Sequence, residues 1–241
     1  MYGSACTNHS QLTKPQRMQM QKRYEGKTFW LQTSLYAGFF YDDRRYRLGH
    51  PSSFDTLNAL KTIDGYTILP PTHDDIIPAG TRVRIEHIRW PTPGNVFGAA
   101  LYTPKQLAWV FCSVALDRGN TTLWRERPYI LLVPKHVQSP HAFERWIVSL
   151  LAKTNPNPWL QTLPKHIVKG IVSKRPLVGM NERQLQAAMG QYDDILNKAT
   201  KSTQRQVRRY GLLKVTVQSD KVVQVRPFVL LTATQKKKHK Q

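Results

Sequence analysis

The sequence predicts an α+β protein in which a β-rich part comes first, and a layer of two helices and a β-hairpin follows. Apolar and polar residues alternate over Thr81–Ile88, which is typical of a half-buried strand. The segment from Asn181 to Gly190 instead has apolar residues at helical spacing between signals for both helix ends. Because the two patterns occupy different regions of the chain, we expect the sheet and the helices to be segregated.

The composition is that of a folded, basic protein. With 241 residues, 40% of them hydrophobic, the chain is long enough for two modest domains that each bury a core. No apolar run approaches the roughly 18 residues that a membrane-spanning helix needs. The 36 lysines and arginines exceed the 15 acidic residues by 21, so we expect an anionic environment or partner. Nucleic acid and a membrane or lipopolysaccharide surface both meet this requirement.

Changes in composition divide the chain into five segments. Residues 1–26 are polar and basic with few large hydrophobic side chains, which predicts a flexible tether. The alternative is a weakly helical arm, since Arg17–Tyr24 has fair helix propensity. The other segments are a β-rich domain (27–135), a helix with an Asn/Pro linker (136–158), a second α+β domain (159–230) and a basic tail (231–241).

Runs rich in β-branched and aromatic residues predict the strands of the β-rich domain: Phe29–Tyr36, Gly65–Leu69, Thr81–Ile88, Ala108–Leu116 and Tyr129–Val133. A tight turn over Ile77–Thr81 leads into the third strand. This Ile-Pro-Ala-Gly-Thr turn and the strand after it resemble those of small SH3-like barrels in bacterial envelope proteins. We therefore expect the β-rich domain to be SH3-like.

Two helices are predicted before the capped one. Ser139 is a suitable N-cap, Pro140 fits the first helical position, and an apolar stripe follows on one face. A second apolar stripe that begins at Ile167 predicts a helix over His166–Lys174, which Pro176 ends.

The next helix has both of its ends encoded in the sequence. The Asn181 side chain can accept a hydrogen bond from the first turn, and Gln184 lies where a capping box places Glu or Gln. Met180 and Leu185 occupy the positions of a hydrophobic staple. Gly190 provides the stop, since glycine adopts positive φ without a Cβ penalty.

A polar loop and then a β-hairpin are predicted after this helix. The arms of the hairpin, Tyr210–Val217 and Val222–Val225, are rich in β-branched residues and flank a turn over Gln218–Lys221.

This order of helix, Gly-Met turn, capped helix, glycine, polar loop and two strands resembles the SmpA/OmlA family, small lipoproteins that include the E subunit of the outer-membrane barrel-assembly machinery. The resemblance covers residues 163–228. Asn181 replaces the usual Thr or Ser and keeps the cap chemistry, whereas Gln191-Tyr192 replaces a proline that often follows the glycine. The matching positions are Gly179, Met180, Leu185, Met189, Gly190, Arg209, Tyr210, Asp220, Lys221 and Val222.

The resemblance implies a non-catalytic envelope lipoprotein or periplasmic interaction module, associated with outer-membrane assembly or integrity. Its implied partners are envelope proteins and an anionic lipid or lipopolysaccharide surface. If the sequence shown is truncated at its start, the resemblance implies a protein at the periplasmic face of the outer membrane. Otherwise we expect a cytoplasmic protein. The structural determinants are Gly179, Met180, Asn181, Gln184, Leu185 and Gly190, and the candidate anion-binding residues are Arg208, Arg209 and Lys214.

The two cysteines lie in different sequence contexts. Cys112 lies in an apolar run and is predicted to be a buried strand residue. Cys6 follows Gly-Ser-Ala, as the cysteine of a lipobox follows small residues, and with the family resemblance it is a candidate lipid anchor. No charged and then apolar leader precedes it in the sequence shown. A disulfide between the two cysteines remains an open alternative.

The sequence contains no convincing catalytic or metal-binding pattern. His73-Asp74-Asp75 has no second His or Cys at a ligand spacing, and phosphate-loop and nucleophile-elbow motifs are absent. We therefore expect a protein that is not an enzyme and has no cofactor or metal.

Two basic segments with aromatic residues support an alternative, a cytoplasmic protein that binds nucleic acid. They are Tyr41–Arg47 and Arg205–Tyr210, and cations beside aromatic rings are how single strands are held. Neither segment matches a known nucleic-acid-binding module. If the second segment instead has only a structural role, Tyr210 fills the core and the arginines face water.

Overall fold

The computed structural model describes residues 12–40, 44–54, 57, 71–91, 107–118, 121–197 and 205–228. Within them the chain forms a curled, nine-stranded mixed sheet that makes a half-barrel, a four-stranded antiparallel sheet and five helices. The predicted α+β class is therefore confirmed. The predicted strand over Gly65–Leu69 and the basic tail lie outside the described residues.

The half-barrel consists of β1 (Thr28–Leu31), β2 (Leu35–Phe39), β3 (Arg47–His50), β4 (Asp75–Ile77), β5 (Arg82–Arg89), β6 (Trp109–Arg118), β7 (Thr121–Trp124), β8 (Tyr129–Leu132) and β9 (Leu151–Ala152). The strands are arranged in the order β4-β2-β3-β8-β6-β5-β1-β9, and β7 pairs with β6. Neighbouring strands are antiparallel except β3 and β8, which run parallel.

Two helices cover one face of the half-barrel, α1 (Lys14–Tyr24) and α2 (Pro140–Leu150). α2 begins as predicted, with Ser139 capping its first turn through a side-chain hydrogen bond of 3.1 Å. Residues 14–24 are helical, which agrees with the alternative of a helical arm and not with a flexible tether, and residues 1–11 lie outside the described residues. Met20 and Tyr24 of α1 lie four residues apart on one side and are buried in the core, so these two residues anchor an otherwise polar helix.

The predicted strand Phe29–Tyr36 is instead two strands, β1 and β2. The chain turns between them because its backbone bonds to later elements. The N–H of Gln32 donates to Leu150 O at 2.7 Å, and the N–H of Ser34 donates to Ala187 O at 2.9 Å. The half-barrel and the second part of the chain are thus joined at this break.

The second part contains α3 (Asn157–Gln161), α4 (Lys165–Val172), α5 (Glu182–Met189), β10 (Asp194–Asn197), β11 (Arg205–Tyr210), β12 (Leu213–Gln218) and β13 (Lys221–Pro227). The four strands pair in chain order. α4 and α5 correspond to the predicted helices, and β12 and β13 to the predicted hairpin. Its two turn residues, Ser219 and Asp220, both have positive φ, as a type I′ turn requires. β10 and β11 occupy the region predicted as a polar loop.

A second core lies between α4, α5 and one face of the four-stranded sheet. It includes Ile171, Leu185, Tyr210, Val215 and Val222. Because side chains alternate along a strand, the intervening residues point to the opposite, outer face of this sheet. Across the described parts of the chain, no helix combines the length and apolar content that a membrane span requires.

Candidate functional site

The capped helix has the predicted geometry. Asn181 Oδ1 accepts a hydrogen bond from Gln184 N, and Gln184 Oε1 accepts one from Asn181 N, both at 2.9 Å. Gly190 ends the helix with φ of +78°. Met180 and Leu185 are fully buried. The predicted capping box and glycine stop are therefore confirmed.

Gly179 and Met180 join this helix to the last strand of the sheet. Gly179 N donates to Val222 O, and Val222 N donates to Met180 O, each at 2.8 Å. Gly179 has φ of +90°, a conformation that glycine adopts without strain. The motif has a structural role, since it holds α5 against β13.

Arg208 lies on the helix-facing side of β11 and is engaged within the protein. Its Nη1 donates to both carboxylate oxygens of Glu182, at 2.6 and 2.7 Å. Burial lowers the pKa of Arg208, but hydrogen bonds to Glu182 and Tyr210 outweigh this effect and raise the pKa above its ordinary value. Arg208 therefore stabilises the contact between α5 and the sheet, and its position does not suit an external anion.

Arg209 and Lys214 lie on the outer face, in a row of charged residues that crosses all four strands. Asp194 pairs with Arg209, Arg209 with Lys214, and Lys214 with Arg226. A second row on the same face contains Arg205 and Lys221, which both pair with Gln218, and the uncharged row of Val207, Thr216 and Gln224 separates it from the first. We call the following side chains the basic face: Arg205, Arg209, Lys214, Lys221 and Arg226.

An aromatic ring holds two of these cations in place. The guanidinium carbon of Arg209 lies 5.6 Å from the ring centroid of Phe228, and Nζ of Lys214 lies 5.7 Å from it. Arg205, Lys221 and Arg226 are exposed. The basic face thus carries five cationic side chains on the side of the sheet opposite to α4 and α5.

Lys174 is a buried lysine between the two parts of the protein. It follows α4, is 2% exposed and has φ of +51°. Its Nζ donates to Ser34 O at 2.6 Å and to Ala188 O at 3.1 Å, and lies 4.8 Å from the ring centroid of Tyr36. Burial lowers the pKa of Lys174 from 10.5 to about 7. Lys174 therefore links the half-barrel to α5 through hydrogen bonds that a neutral amine can make.

Ser34 and Asn157 each provide a further hydrogen bond between the half-barrel and the second part of the chain. Ser34 Oγ donates to Ile171 O at 2.7 Å and accepts from Ala79 N at 2.9 Å. Asn157 Nδ2 donates to Gly80 O at 3.2 Å. The linker predicted at Asn155–Pro158 thus includes the start of α3 and contacts the β4–β5 turn.

A cleft of about 140 Å³ lies beside this junction. Tyr36, Ser52, Gln191 and Leu212 are among the residues that line it. Its volume is below the roughly 300 Å³ at which pockets for small-molecule ligands begin. The cleft therefore suits one small side chain or a few water molecules.

The acidic residues of His73-Asp74-Asp75 form ion pairs. Asp74 pairs with Arg47, and Asp75 pairs with Arg125. Among the residues that the structure describes, no group of three or more His, Cys, Asp or Glu side chains could hold a metal ion.

Cys112 is buried, and burial raises the pKa of its thiol. The candidate anchor Cys6 lies outside the described residues.

No protein-family model, curated protein or solved structure matches this chain. The sequence predicts Arg209 and Lys214 as anion-binding residues but not their partner Arg226. A bulge between Thr216 and Val217 shifts the register of β13 by one residue and brings Arg226 opposite Lys214. No sequence signal marked that bulge.

Proposed function

We propose that this chain is a non-catalytic interaction module of the bacterial cell envelope, with an SmpA/OmlA-like second part whose basic face contacts an anionic lipid surface. The observation that carries the proposal is the uninterrupted row of Arg209, Lys214 and Arg226 on three adjacent strands. Cys6 is the proposed lipid anchor. We include the SH3-like assignment of the half-barrel, which is supported by the turn at Ala79 and Gly80 before β5.

The charge pattern of this row supports binding to an anionic surface. Neighbouring strands are about 4.8 Å apart, so the row brings three cations within roughly 10 Å of one another. Like charges directly opposite each other destabilise a sheet. Asp194 is the carboxylate in the row, and it lies at one end. An anionic surface would relieve this repulsion and gain about 1 kcal/mol for each lysine or arginine brought close to it.

The aromatic residues near the basic face favour lipid over single-stranded nucleic acid. Proteins that hold single strands present free ring faces on which bases stack. Tyr210 is buried in the core, and the Phe228 ring contacts Arg209 and Lys214. The basic face therefore offers charge without an open stacking platform.

Vesicle co-sedimentation tests this function. The wild type should bind vesicles that contain phosphatidylglycerol, and not vesicles of phosphatidylcholine alone. The double variant Arg209→Gln/Lys214→Gln removes two cations, so its partition coefficient should fall roughly 30-fold. The control Arg145→Gln/Lys153→Gln removes the same charge from exposed positions outside the basic face and should bind nearly as the wild type does.

Equal losses in both double variants would refute a dedicated surface, because they would show that net charge alone drives binding. Binding to an oligonucleotide that depends on Arg209 and Lys214, without vesicle binding, would instead establish the nucleic-acid alternative.

A further inference from the structure

Three arginines surround one aromatic ring on the half-barrel. Phe39 at the end of β2 pairs with Arg47 on β3. The guanidinium carbons of Arg44, Arg47 and Arg127 lie 5.3, 4.9 and 5.5 Å from the centroid of the Phe39 ring. Arg127 comes from the segment between β7 and β8, so residues distant in the sequence converge here.

The ring of Tyr129 also contacts arginines, one of which contacts Phe39 as well. Arg47 pairs in register with Tyr129, and the guanidinium carbons of Arg47 and Arg125 each lie 5.6 Å from its ring centroid. Arg125 Nη1 donates to Tyr129 Oη at 2.6 Å. We call the following residues the Phe39 arginine cluster: Phe39, Arg44, Arg47, Arg125, Arg127 and Tyr129.

Arg47 and Arg125, the inner arginines of the cluster, have anionic partners. Arg44 and Arg127, the outer arginines, have none among the described residues. Arg47 pairs with Asp74, and Arg125 pairs with Asp75. Arg44 and Arg127 are exposed, and neither forms an ion pair within the described ranges. Four guanidinium groups against two carboxylates leave an excess of two positive charges around the two rings.

Three other acidic residues lie close to arginines of the cluster in the sequence. Glu126 lies between Arg125 and Arg127, is exposed and forms no ion pair in the described part of the chain. Asp42 and Asp43 precede Arg44 and lie outside the described residues.

The inner arginines also retain unused donors. The Nε atoms of Arg47 and Arg125 are buried without a hydrogen-bond acceptor. Buried donors of this kind are costly unless an acceptor reaches them. The cluster therefore combines two exposed cations with two unsatisfied guanidinium donors.

The chemistry of the cluster selects a compact oxyanion. The planar fork of an arginine matches the oxygens of a phosphate, and several arginines can share one phosphate group. A phosphomonoester carries about two negative charges at neutral pH, which matches the excess of the four arginines over their partners Asp74 and Asp75. The guanidinium groups occupy the surroundings of the Phe39 ring, so a nucleobase has no free face on which to stack.

We propose that the Phe39 arginine cluster is a binding site for a phosphomonoester dianion, either inorganic phosphate or a lipid headgroup that ends in a phosphomonoester. The site lies on the half-barrel and shares no residue with the basic face, so it does not depend on the function proposed above.

Calorimetric titration with inorganic phosphate in a non-phosphate buffer tests the site. Wild type should bind one phosphate per chain. In the variant Arg44→Gln/Arg127→Gln the dissociation constant should rise at least about tenfold, since two charge-assisted hydrogen-bond donors are lost. The controls Arg145→Gln/Lys153→Gln and Arg209→Gln/Lys214→Gln should bind phosphate as wild type does. Near-ultraviolet circular dichroism would verify the fold of each variant.

A second variant tests the fork geometry. Arg44→Lys/Arg127→Lys keeps the charge but replaces the planar fork with a point charge, and its affinity for phosphate should also fall. A comparison of vesicles that contain phosphatidic acid with vesicles of phosphatidylglycerol, at matched surface charge, shows whether the natural phosphomonoester is a lipid headgroup or a soluble ligand. A preference for phosphatidic acid that the glutamine variant loses indicates a lipid headgroup, whereas phosphate binding without this preference indicates a soluble ligand.

Absence of saturable binding to both inorganic phosphate and phosphatidic acid would overturn the proposal. So would equal weakening in the cluster variant and the controls. An oligonucleotide that binds through Arg44 and Arg127, in a protein that does not bind inorganic phosphate, would assign the cluster to nucleic acid instead.

Discussion

Replacing Lys174 with methionine should change how the stability of the protein depends on pH. The amine is buried between the half-barrel and α5, and burial lowers its pKa from 10.5 to about 7. Between these values the unfolded chain binds a proton that the folded protein does not, so the free energy of unfolding rises with pH. Stability from this group is complete above pH 10.5 and is lost as the pH falls towards 7.

The size of the effect follows from the two pKa values. Each pH unit between them changes stability by about 1.4 kcal/mol, so the full range corresponds to roughly 5 kcal/mol. Between pH 7.5 and 9.5 the wild type should gain about 2.5 kcal/mol relative to Lys174→Met. The variant also removes the hydrogen bonds that Lys174 Nζ donates to Ser34 O and Ala188 O, which should cost about 1–3 kcal/mol at every pH.

Other titratable groups contribute little to the difference between the two proteins above about pH 7.5, although the charge of Lys174 itself also lowers the pKa of His50. Burial lowers the pKa of the nearby His50 to about 4, and its ordinary value is 6.5, so His50 is neutral in both states above about pH 7.5. Burial raises the pKa of Cys112, which opposes the rise in stability at high pH. The relevant quantity is therefore the difference between wild type and variant.

The assay is urea unfolding followed by tryptophan fluorescence at several pH values. Lys169→Met is the matched control, since Lys169 is exposed on α4 and should show the wild-type pH dependence. A difference between wild type and Lys174→Met that stays constant from pH 7.5 to 9.5 would instead show that Lys174 keeps an ordinary pKa in the folded protein.

Two further substitutions test the turn and the helix cap. Gly80→Ala should destabilise the protein by at least 2 kcal/mol, about twice the cost of Gly26→Ala. Both glycines have positive φ, but a Cβ at Gly80 would lie 1.9 Å from Asn157 Oδ1 and at Gly26 would meet nothing within 4 Å. Equal losses of unfolding free energy would contradict this contact. Asn181→Ala should cost about 1 kcal/mol, whereas Gln186→Ala on the exposed side of α5 should stay within about 0.5 kcal/mol, as measured by thermal unfolding. A neutral Asn181→Ala would show that the capping box adds nothing.

The parts of the fold that local sequence determines could be predicted. The Asn181 capping box and the hairpin turn at Ser219 and Asp220 depend on residues within a few positions of each other. α1 was predicted only as an alternative to a tether, because Met20 and Tyr24 alone carry its apolar contacts. β10 and β11 were missed because neither shows the apolar alternation of a strand: β10 is only the four residues Asp-Ile-Leu-Asn, and charged and polar residues dominate β11. Pairing within the sheet fixes their conformation.

The candidate site depended on long-range packing that the sequence does not display. Arg208 and Arg209 are adjacent and look equivalent in the sequence, yet strand alternation sends Arg208 to Glu182 and Arg209 to the outer face. The Phe39 arginine cluster unites residues about ninety positions apart through the parallel pairing of β3 and β8. Lys174 carries no local signal of burial, because its surroundings come from the half-barrel and α5.

Spin labels on opposite sides of the second part would show whether the basic face contacts an anionic membrane. Gln218 lies exposed on the outer face, and Gln186 lies exposed on α5. In a Cys6→Ser background, nitroxides would be attached to Gln218→Cys or Gln186→Cys, and their accessibility to a water-soluble relaxation agent would be measured with phosphatidylglycerol vesicles. We expect protection at position 218 and no change at position 186. Protection at position 186 alone, or no protection at either position in vesicle-bound protein, would contradict this expectation.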